Sequence, residues 1–140
     1  MIYLDATVLA AYYCPEPLSP KAERLIRAEP RPALSDLTEV ELFSALSRKT
    51  RLRELSREDA ERIAAQFLAH LGSGFYAPMP VERCHYSLAR DWIGRFSTAL
   101  RTLDALHLAV AASEGLRLVT SDGSLARAGA GLGVAVLHLS

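Results

Sequence analysis

Several features are scarce in this chain of 140 residues, and each scarcity excludes a class of protein. The two cysteines, Cys14 and Cys84, are too few for a disulfide framework and lack the spacing of a metal site. No apolar run approaches the roughly 18 residues of a membrane span. The opening MIYLDATVLA has neither a basic start nor a cleavage signal, so it reads as a strand and not a signal peptide. We therefore expect a cytoplasmic protein with no membrane association.

Net charge is also absent, because 16 basic and 16 acidic residues balance. The basic residues are uneven, since only Lys21 and Lys49 are lysines and the remainder are arginines. Arginine suits bidentate contacts with phosphate better than lysine does. A chain rich in arginine and alanine also arises from a GC-rich genome. The composition therefore permits a phosphate-binding function without indicating one.

Apolar and polar residues predict strands that alternate with helices along the chain. Strands are predicted at 1–5, 32–35, 75–81, 116–120 and 134–139, and helices at 6–13, 19–29, 36–49, 57–71, 82–96, 102–114 and within 121–133. This alternation is typical of βαβ units with right-handed crossovers. We expect residues 1–140 to form one doubly wound α/β domain, with a mostly parallel sheet covered by helices on both faces. The prolines within 75–81 favour an edge strand, and Asp36 with Glu39 predicts a capping box.

Two aspartates follow predicted strands directly. Asp5 comes after IYL, and Asp122 comes one residue after LRLVT; each precedes a helix. Ligands of open α/β sheets bind beyond the carboxyl ends of the strands. The pattern therefore predicts that both carboxylates stand at the same edge of the sheet. The alternative for each is a simple N-cap, because aspartate is a favoured capping residue.

Glu41 and Asp104 are two further candidates on helices. Glu41 lies beyond the first turn of its helix and shares a stripe with Ser44 and Arg48, which is either a solvated stripe or one that faces the same edge. Asp104 lies in the first turn of LRTLDALHLAVAASEG, a segment that is apolar all round and therefore predicted to be buried. The helix dipole alone accounts for an acid at that position. The functional alternative is that the Asp104 carboxylate lies close to those of Asp5 and Asp122.

Four converging carboxylates require compensation. Two like charges about 4 Å apart repel by roughly 4 kcal/mol at an effective dielectric constant near 20. Either some of the acids are protonated or a hard cation lies among them. Oxygen ligands without histidine or cysteine select Mg²⁺ or Mn²⁺ over zinc. Carboxylate-held Mg²⁺ is the usual arrangement for hydrolysing phosphate esters.

The same residues carry a resemblance to a known family. IYLDATVLAAYY, LSDLTEVELFSALSRK, LRTLDALHLAVA and LVTSDGSLARAGAGLGVAVL occur in family order over nearly the whole chain. With these segments the chain resembles PIN-domain ribonucleases, specifically the VapC-type toxins of toxin–antitoxin pairs. The resemblance implies about five parallel strands and a Mg²⁺- or Mn²⁺-dependent endoribonuclease that cleaves single-stranded RNA. It also implies a homodimer and a small antitoxin that blocks the acidic groove.

Carried over residue by residue, the family's catalytic and metal-binding acids fall on Asp5, Glu41, Asp104 and Asp122. Thr7 and Thr120 resemble the hydroxyls that orient this cluster. His107 belongs to the family pattern too, and we expect it to pack and to hydrogen-bond behind the carboxylates.

Other functions stay open at this level. A phosphatase of the haloacid-dehalogenase class also begins with a strand followed by an aspartate, as this chain does at Asp5. That class needs a second aspartate two residues later, where this chain has Thr7, and a lysine near the end of the domain, where this chain has none. A catalytically silent PIN-like module and an RNA-processing nuclease without an antitoxin are the remaining alternatives.

Two surfaces are predicted for ligands. Basic residues after the Glu41 helix could track an RNA strand or could form a solvated turn; they are Arg48, Lys49, Arg51, Arg53 and Arg57. The segment 8–18 could be an exposed apolar surface for a protein partner, or it could pack against 21–29.

Overall fold

A computed structural model describes the whole chain, Met1–Ser140, as five strands and seven helices. The strands are β1 (Ile2–Leu4), β2 (Ala33–Ser35), β3 (Ala77–Met79), β4 (Arg117–Thr120) and β5 (Val136–His138). The helices are α1 (Ala6–Tyr13), α2 (Ser19–Ala28), α3 (Asp36–Arg51), α4 (Arg57–Gly72), α5 (Arg83–Ile93), α6 (Thr102–Ser113) and α7 (Gly123–Gly131). None of the helices is both long and apolar enough to cross a membrane.

The five strands form one parallel sheet in the order β3-β2-β1-β4-β5. The register pairs Tyr3 with Ala33 on one side and with Leu118 on the other. The chain moves outward from β1 to β3, then returns to β4 beside β1 and continues to β5. The strand order therefore reverses between β1 and β4, and a doubly wound sheet forms its ligand crevice at such a point. The predicted fold class is confirmed, with every strand parallel.

Two hydrophobic layers cover the sheet, and alternate strand residues enter each of them. Ile2, Leu4 and Leu34 belong to the layer formed with α1–α4. Tyr3 and Ala33 belong to the other layer, formed with α5–α7. Residues Ala105–Ala111 of α6 are all buried, as expected for a helix that is apolar all round.

The element boundaries differ from the predicted ones by one to three residues at many of their ends, and every strand is shorter than predicted. The capping box of α3 uses Ser35 and Thr38, and not Asp36 and Glu39, because the helix begins one residue earlier and the Ser35 amide donates to Thr38 Oγ1 at 3.4 Å. Helix α3 continues to Arg51. Helix α5 begins after its cap Glu82 and ends at Ile93. The prediction that β3 is an edge strand is confirmed.

Segment 8–18 does not form an exposed apolar surface. Tyr13 and Cys14 are buried, and Tyr12 and Leu18 pack against the same core. The turn through the two prolines folds α2 back onto α1, so the apolar side chains enter the layer between these helices and the sheet. The alternative, packing against the following helix, is the one that the structure has.

Candidate active site

Asp5 lies at the reversal of strand order and is almost completely buried, with 3% of its surface exposed. It caps α1: Oδ1 accepts hydrogen bonds from the Thr7 amide at 3.0 Å, the Thr7 hydroxyl at 2.6 Å and the Val8 amide at 3.1 Å. Oδ2 accepts from the Thr120 hydroxyl. Burial raises the pKa of Asp5, while the bonds from Thr120, Thr7 and Val8 oppose that rise. Asp5 is thus both a cap and a fixed, buried carboxyl group.

Asp122 stands at the end of β4, the neighbouring strand, and caps α7. Its Oδ1 accepts from the Ser124 amide at 2.9 Å and the Leu125 amide at 3.3 Å. Its own amide donates to Thr120 Oγ1 at 3.0 Å. Because the same Thr120 hydroxyl donates to Asp5, one side chain ties the two acidic strand ends together. The hydroxyls of Thr7 and Thr120 therefore occupy the positions expected from the sequence.

Asp104 is half-buried in the first turn of α6 and accepts no hydrogen bond from the protein. Burial is the largest cause of the raised pKa of Asp104, and the negative charge of Asp122 raises that pKa further. Glu41 and Asp5 also raise the pKa of Asp104, whereas His107 lowers it. The carboxyl groups of Asp122, Glu41 and Asp5 therefore lie near enough to Asp104 to disfavour its ionised form.

Glu41 reaches this region from α3, and its contact is with His107 of α6. His107 Nε2 lies within hydrogen-bond distance of Glu41 Oε1, and His107 Nδ1 lies 2.7 Å from the Tyr3 hydroxyl. His107 and Tyr3 are both buried, and burial raises the pKa of Tyr3 to about 12. His107 thus hydrogen-bonds behind the carboxylates, as expected.

A cleft of about 840 Å³ opens over these side chains, and we call it the acidic cleft. Glu41, Asp104 and Asp122 line it together with Thr7 and Arg48. Asp5 lies beneath it, held by the hydroxyl of Thr7. No three acidic, histidine or cysteine side chains are close enough together in this arrangement to hold one metal ion.

The oxygen atoms that remain without protein partners define what the acidic cleft could bind. Both oxygens of Asp104, Oε2 of Glu41 and Oδ2 of Asp122 accept no hydrogen bond from the protein. A set of carboxylate oxygens alone fits a hard cation such as Mg²⁺ or Mn²⁺. Asp104, Glu41 and Asp122 would hold such an ion, whose positive charge would offset the negative charges that add to the burial effect on the pKa of Asp104.

Three residues beneath the cleft were not singled out from the sequence. Tyr3, Ser35 and Thr38 form a buried polar cluster in which the Tyr3 hydroxyl lies 2.7 Å from Ser35 Oγ and 3.3 Å from Thr38 Oγ1. The available signal was weak: one tyrosine in an apolar strand, and a Ser-x-x-Thr spacing at a strand end.

Together, the fold and the acidic cleft define a parallel α/β protein with an oxygen-only site where its strand order reverses. The family model described as "PIN domain" matches residues 2–131, so the chain belongs to the PIN-domain family. The curated relative Ribonuclease VapC46 of Mycobacterium tuberculosis is 32% identical over 139 residues, which cover 97% of this chain and 95% of that protein. The match excludes the phosphatase alternative.

Solved structures agree on the fold. Mycobacterium tuberculosis VapC20, described as a Sarcin-Ricin loop cleaving toxin, superposes with a TM-score of 0.72 at 22% identity and covers 92% of this chain and 95% of that one. VapBC2 of Rickettsia felis, bound to a DNA fragment from its promoter, gives a TM-score of 0.72 at 16% identity over the full length of both chains. At these identities the likeness shows the fold.

Proposed function

We propose that this protein is a divalent-metal-dependent endoribonuclease that cleaves single-stranded RNA and serves as the toxin of a type II toxin–antitoxin pair. One observation carries the proposal. In a chain that is similar over its whole length to a VapC ribonuclease, three carboxylates line one cleft and a fourth is buried beneath it. Asp5, Glu41, Asp104 and Asp122 are the catalytic and metal-binding residues of the proposal.

Mg²⁺ or Mn²⁺, when bound, would activate water and neutralise the charge that develops on the phosphate oxygens. The chain's own residues have distinct tasks. Asp5 is held rigidly by two hydroxyls and two amides, so it fixes the floor of the site. Asp104 has free oxygens and adjusts to the ligand. Glu41 Oε2 has no protein partner and can accept a proton from the attacking water.

A groove of about 490 Å³ continues from the acidic cleft between α1 and α3, and we propose that it holds the RNA strand. Thr7, Glu41 and Arg48 line both spaces, which makes the path continuous. Lys49 and Arg51 also line the groove. Lys49 is paired with Glu16 at 3.2 Å and Glu54 at 3.7 Å, whereas Arg48 has no carboxylate partner. Arg48 is therefore the foremost candidate for a phosphate contact.

The remaining members of the basic cluster lie elsewhere. Arg57 pairs with Glu61 at 3.0 Å and faces the space between α3 and α4, and Arg53 lines neither the groove nor the acidic cleft. We therefore restrict the proposed RNA contacts to Arg48, Lys49 and Arg51.

An antitoxin and a second copy of the chain are the proposed protein partners. Several of the solved structures with a similar fold are toxin–antitoxin complexes, VapBC2 of Rickettsia felis among them. Val40, Phe43 and Leu68 expose apolar side chains on α3 and α4, with 68%, 40% and 54% of their surfaces exposed. Such side chains are available for a protein interface, unlike those of segment 8–18, which are packed.

The deciding experiment is RNA cleavage by the purified chain with Mg²⁺, with Mn²⁺ and with EDTA. We expect cleavage of single-stranded RNA that EDTA abolishes. Asp104→Asn should be inactive. Asp91→Asn, which removes an exposed carboxylate paired with Arg90 away from the acidic cleft, should keep its activity. Undiminished cleavage in EDTA, or an active Asp104→Asn, would refute the mechanism.

A growth experiment separates the toxin from an RNA-processing nuclease. The chain is expressed alone, as Asp104→Asn, and together with the small protein encoded just upstream. A toxin stops growth only in the first case. Equal growth in all three cases, from folded and active protein, would support RNA processing without an antitoxin.

A further inference from the structure

A buried chain of hydrogen bonds runs from the centre of the sheet to Glu41. The Tyr3 hydroxyl lies 2.7 Å from Ser35 Oγ and 2.7 Å from His107 Nδ1, and His107 Nε2 reaches Glu41 Oε1. Tyr3, Ser35 and His107 have at most 1% of their surfaces exposed. The bonds thus link β1, β2, α6 and α3, which include both helices that bring carboxylates to the acidic cleft.

An ionised Glu41 and a singly protonated His107 ring together set one direction for these bonds. An ionised Glu41 carboxylate only accepts, so His107 Nε2 carries the proton. If the ring carries its one proton on Nε2, Nδ1 accepts, and the Tyr3 hydroxyl, 2.7 Å away, donates to it. Having donated, the Tyr3 oxygen accepts from Ser35 Oγ, while the Thr38 hydroxyl, 3.3 Å away, lies nearer to the Leu4 carbonyl at 3.1 Å. Each donor therefore has one acceptor, in the order Ser35, Tyr3, His107, Glu41.

Glu41 needs this support because its own helix does not hold it. Its side chain is 27% exposed, and its contact with His107 is its one bond to the protein. A glutamate with three rotatable bonds on an open helix face would otherwise sample many orientations. The bond from His107 fixes Oε1 and leaves Oε2 free at the acidic cleft.

We propose that Tyr3 and His107 are positioning residues, which aim Glu41 at the metal and water of the acidic cleft through a relay from Tyr3 to His107 to Glu41. The inference rests on the proposed function, because it gives the relay a task in metal binding. Tyr3 contacts none of the reacting groups in this scheme, and it acts through His107.

The chain offers a matched control. Tyr13 is also a buried tyrosine whose hydroxyl lies 2.6 Å from a histidine Nδ1, that of His70, and 2.6 Å from the Tyr76 hydroxyl. This second network lies in the other hydrophobic layer and is not part of the acidic cleft. Tyr3→Phe and Tyr13→Phe each remove one buried hydroxyl, so a purely structural role predicts similar effects for both.

Mn²⁺ affinity, measured by the electron paramagnetic resonance signal of the free ion, is the readout that does not require activity. Loss of a partner behind a metal ligand weakens metal binding about 10- to 100-fold. We expect Tyr3→Phe to weaken Mn²⁺ binding about tenfold and to lower kcat on RNA, with KM for RNA unchanged. Tyr13→Phe should match the wild type in all three quantities. Equal behaviour of the two variants would overturn the proposal.

The nitrogen chemical shifts of His107 test the relay directly. In the wild type we expect Nε2 to carry a proton; a ring protonated on Nδ1 alone would overturn the relay. His107→Gln, whose amide can still donate to Glu41, should keep more Mn²⁺ affinity than His107→Ala. A wild type that binds Mn²⁺ but leaves RNA intact would refute the ribonuclease proposal alone, since the Mn²⁺ comparison would still decide the relay.

Discussion

The Thr120 hydroxyl can be removed with almost no change of shape by Thr120→Val. Thr120 is completely buried, and its hydroxyl donates to Asp5 Oδ2 and accepts from the Asp122 amide. A hydrogen bond to an ionised group contributes about 1.5 to 3 kcal/mol. Valine fills the same volume, so no cavity adds to the loss. We expect a decrease of about 2 kcal/mol in the free energy of unfolding, or roughly 4 to 8 °C in Tm.

The effect should depend on pH in a defined direction. Burial raises the pKa of Asp5 above its ordinary value, and the bond from Thr120 holds that rise back. Between the ordinary pKa of Asp5 in the unfolded chain and its raised pKa in the folded protein, the folded state binds more protons at Asp5 than the unfolded state does. The free energy of unfolding therefore falls as the pH rises through this range. Thr120→Val removes the bond that lowers the pKa of Asp5, so it raises the pKa of Asp5 in the folded protein and extends this range to higher pH. The loss of stability should therefore grow as the pH rises through this range and shrink as the pH falls toward the ordinary carboxyl range.

Urea unfolding at about pH 7.5 and about pH 4.5 measures both effects. Thr50→Val is the matched control, because its hydroxyl donates to the Leu46 carbonyl at 2.8 Å on a half-buried helix position. That control should change stability by less than about 0.5 kcal/mol at either pH. If Thr120→Val destabilised the protein equally at both pH values, or no more than Thr50→Val, the reasoning would be refuted.

Three more results are expected. Asp104→Asn should abolish cleavage yet raise the Tm of the metal-free protein, because the charges of Asp122, Glu41 and Asp5 oppose the ionised Asp104; a lower Tm would contradict this. Mn²⁺ at a hundredfold excess over Kd should stabilise the fold by about 2.7 kcal/mol in thermal melts. That gain should disappear as pH falls, already above the ordinary carboxyl range, because the pKa values of Asp5 and Asp104 are raised. Gly129→Ala should destabilise by about 1 to 3 kcal/mol in urea unfolding, since the new Cβ would lie 2.6 Å from Val136 Cγ2, whereas Gly72→Ala meets open space.

The parts of the fold that depend on local pattern were predictable from the sequence. Asp5 and Asp122 could be placed at one edge because each follows a short apolar strand, and all strands of a parallel sheet end at the same edge. The burial of α6 followed from its apolar circumference. The convergence of Asp104 with Asp122 could not follow from these rules alone, since it depends on where α6 crosses the sheet.

The parts that the sequence left open, or that were placed wrongly, depend on contacts between distant segments. Whether Tyr13 is exposed or buried is decided by α2 and α4, which cover it. The bond between His107 and Glu41 joins residues 66 positions apart, and the bond between His107 and Tyr3 joins residues 104 positions apart. No local pattern records such pairs. The cap of α3 was misplaced by one residue because Ser35 and Asp36 are both good caps, and the register of β2 chooses between them.

Two of the four acids have a second task, because Asp5 holds the first turn of α1 and Asp122 the first turn of α7. Replacing an aspartate cap by alanine removes about 0.5 to 2 kcal/mol of stability. A difference of that size changes the abundance of a protein in a living cell. In a genetic selection for survivors of toxin expression, substitutions at Asp5 and Asp122 would therefore be recovered for two reasons, inactive enzyme and scarce enzyme. Substitutions at Asp104, which caps nothing, would be recovered for the first reason only.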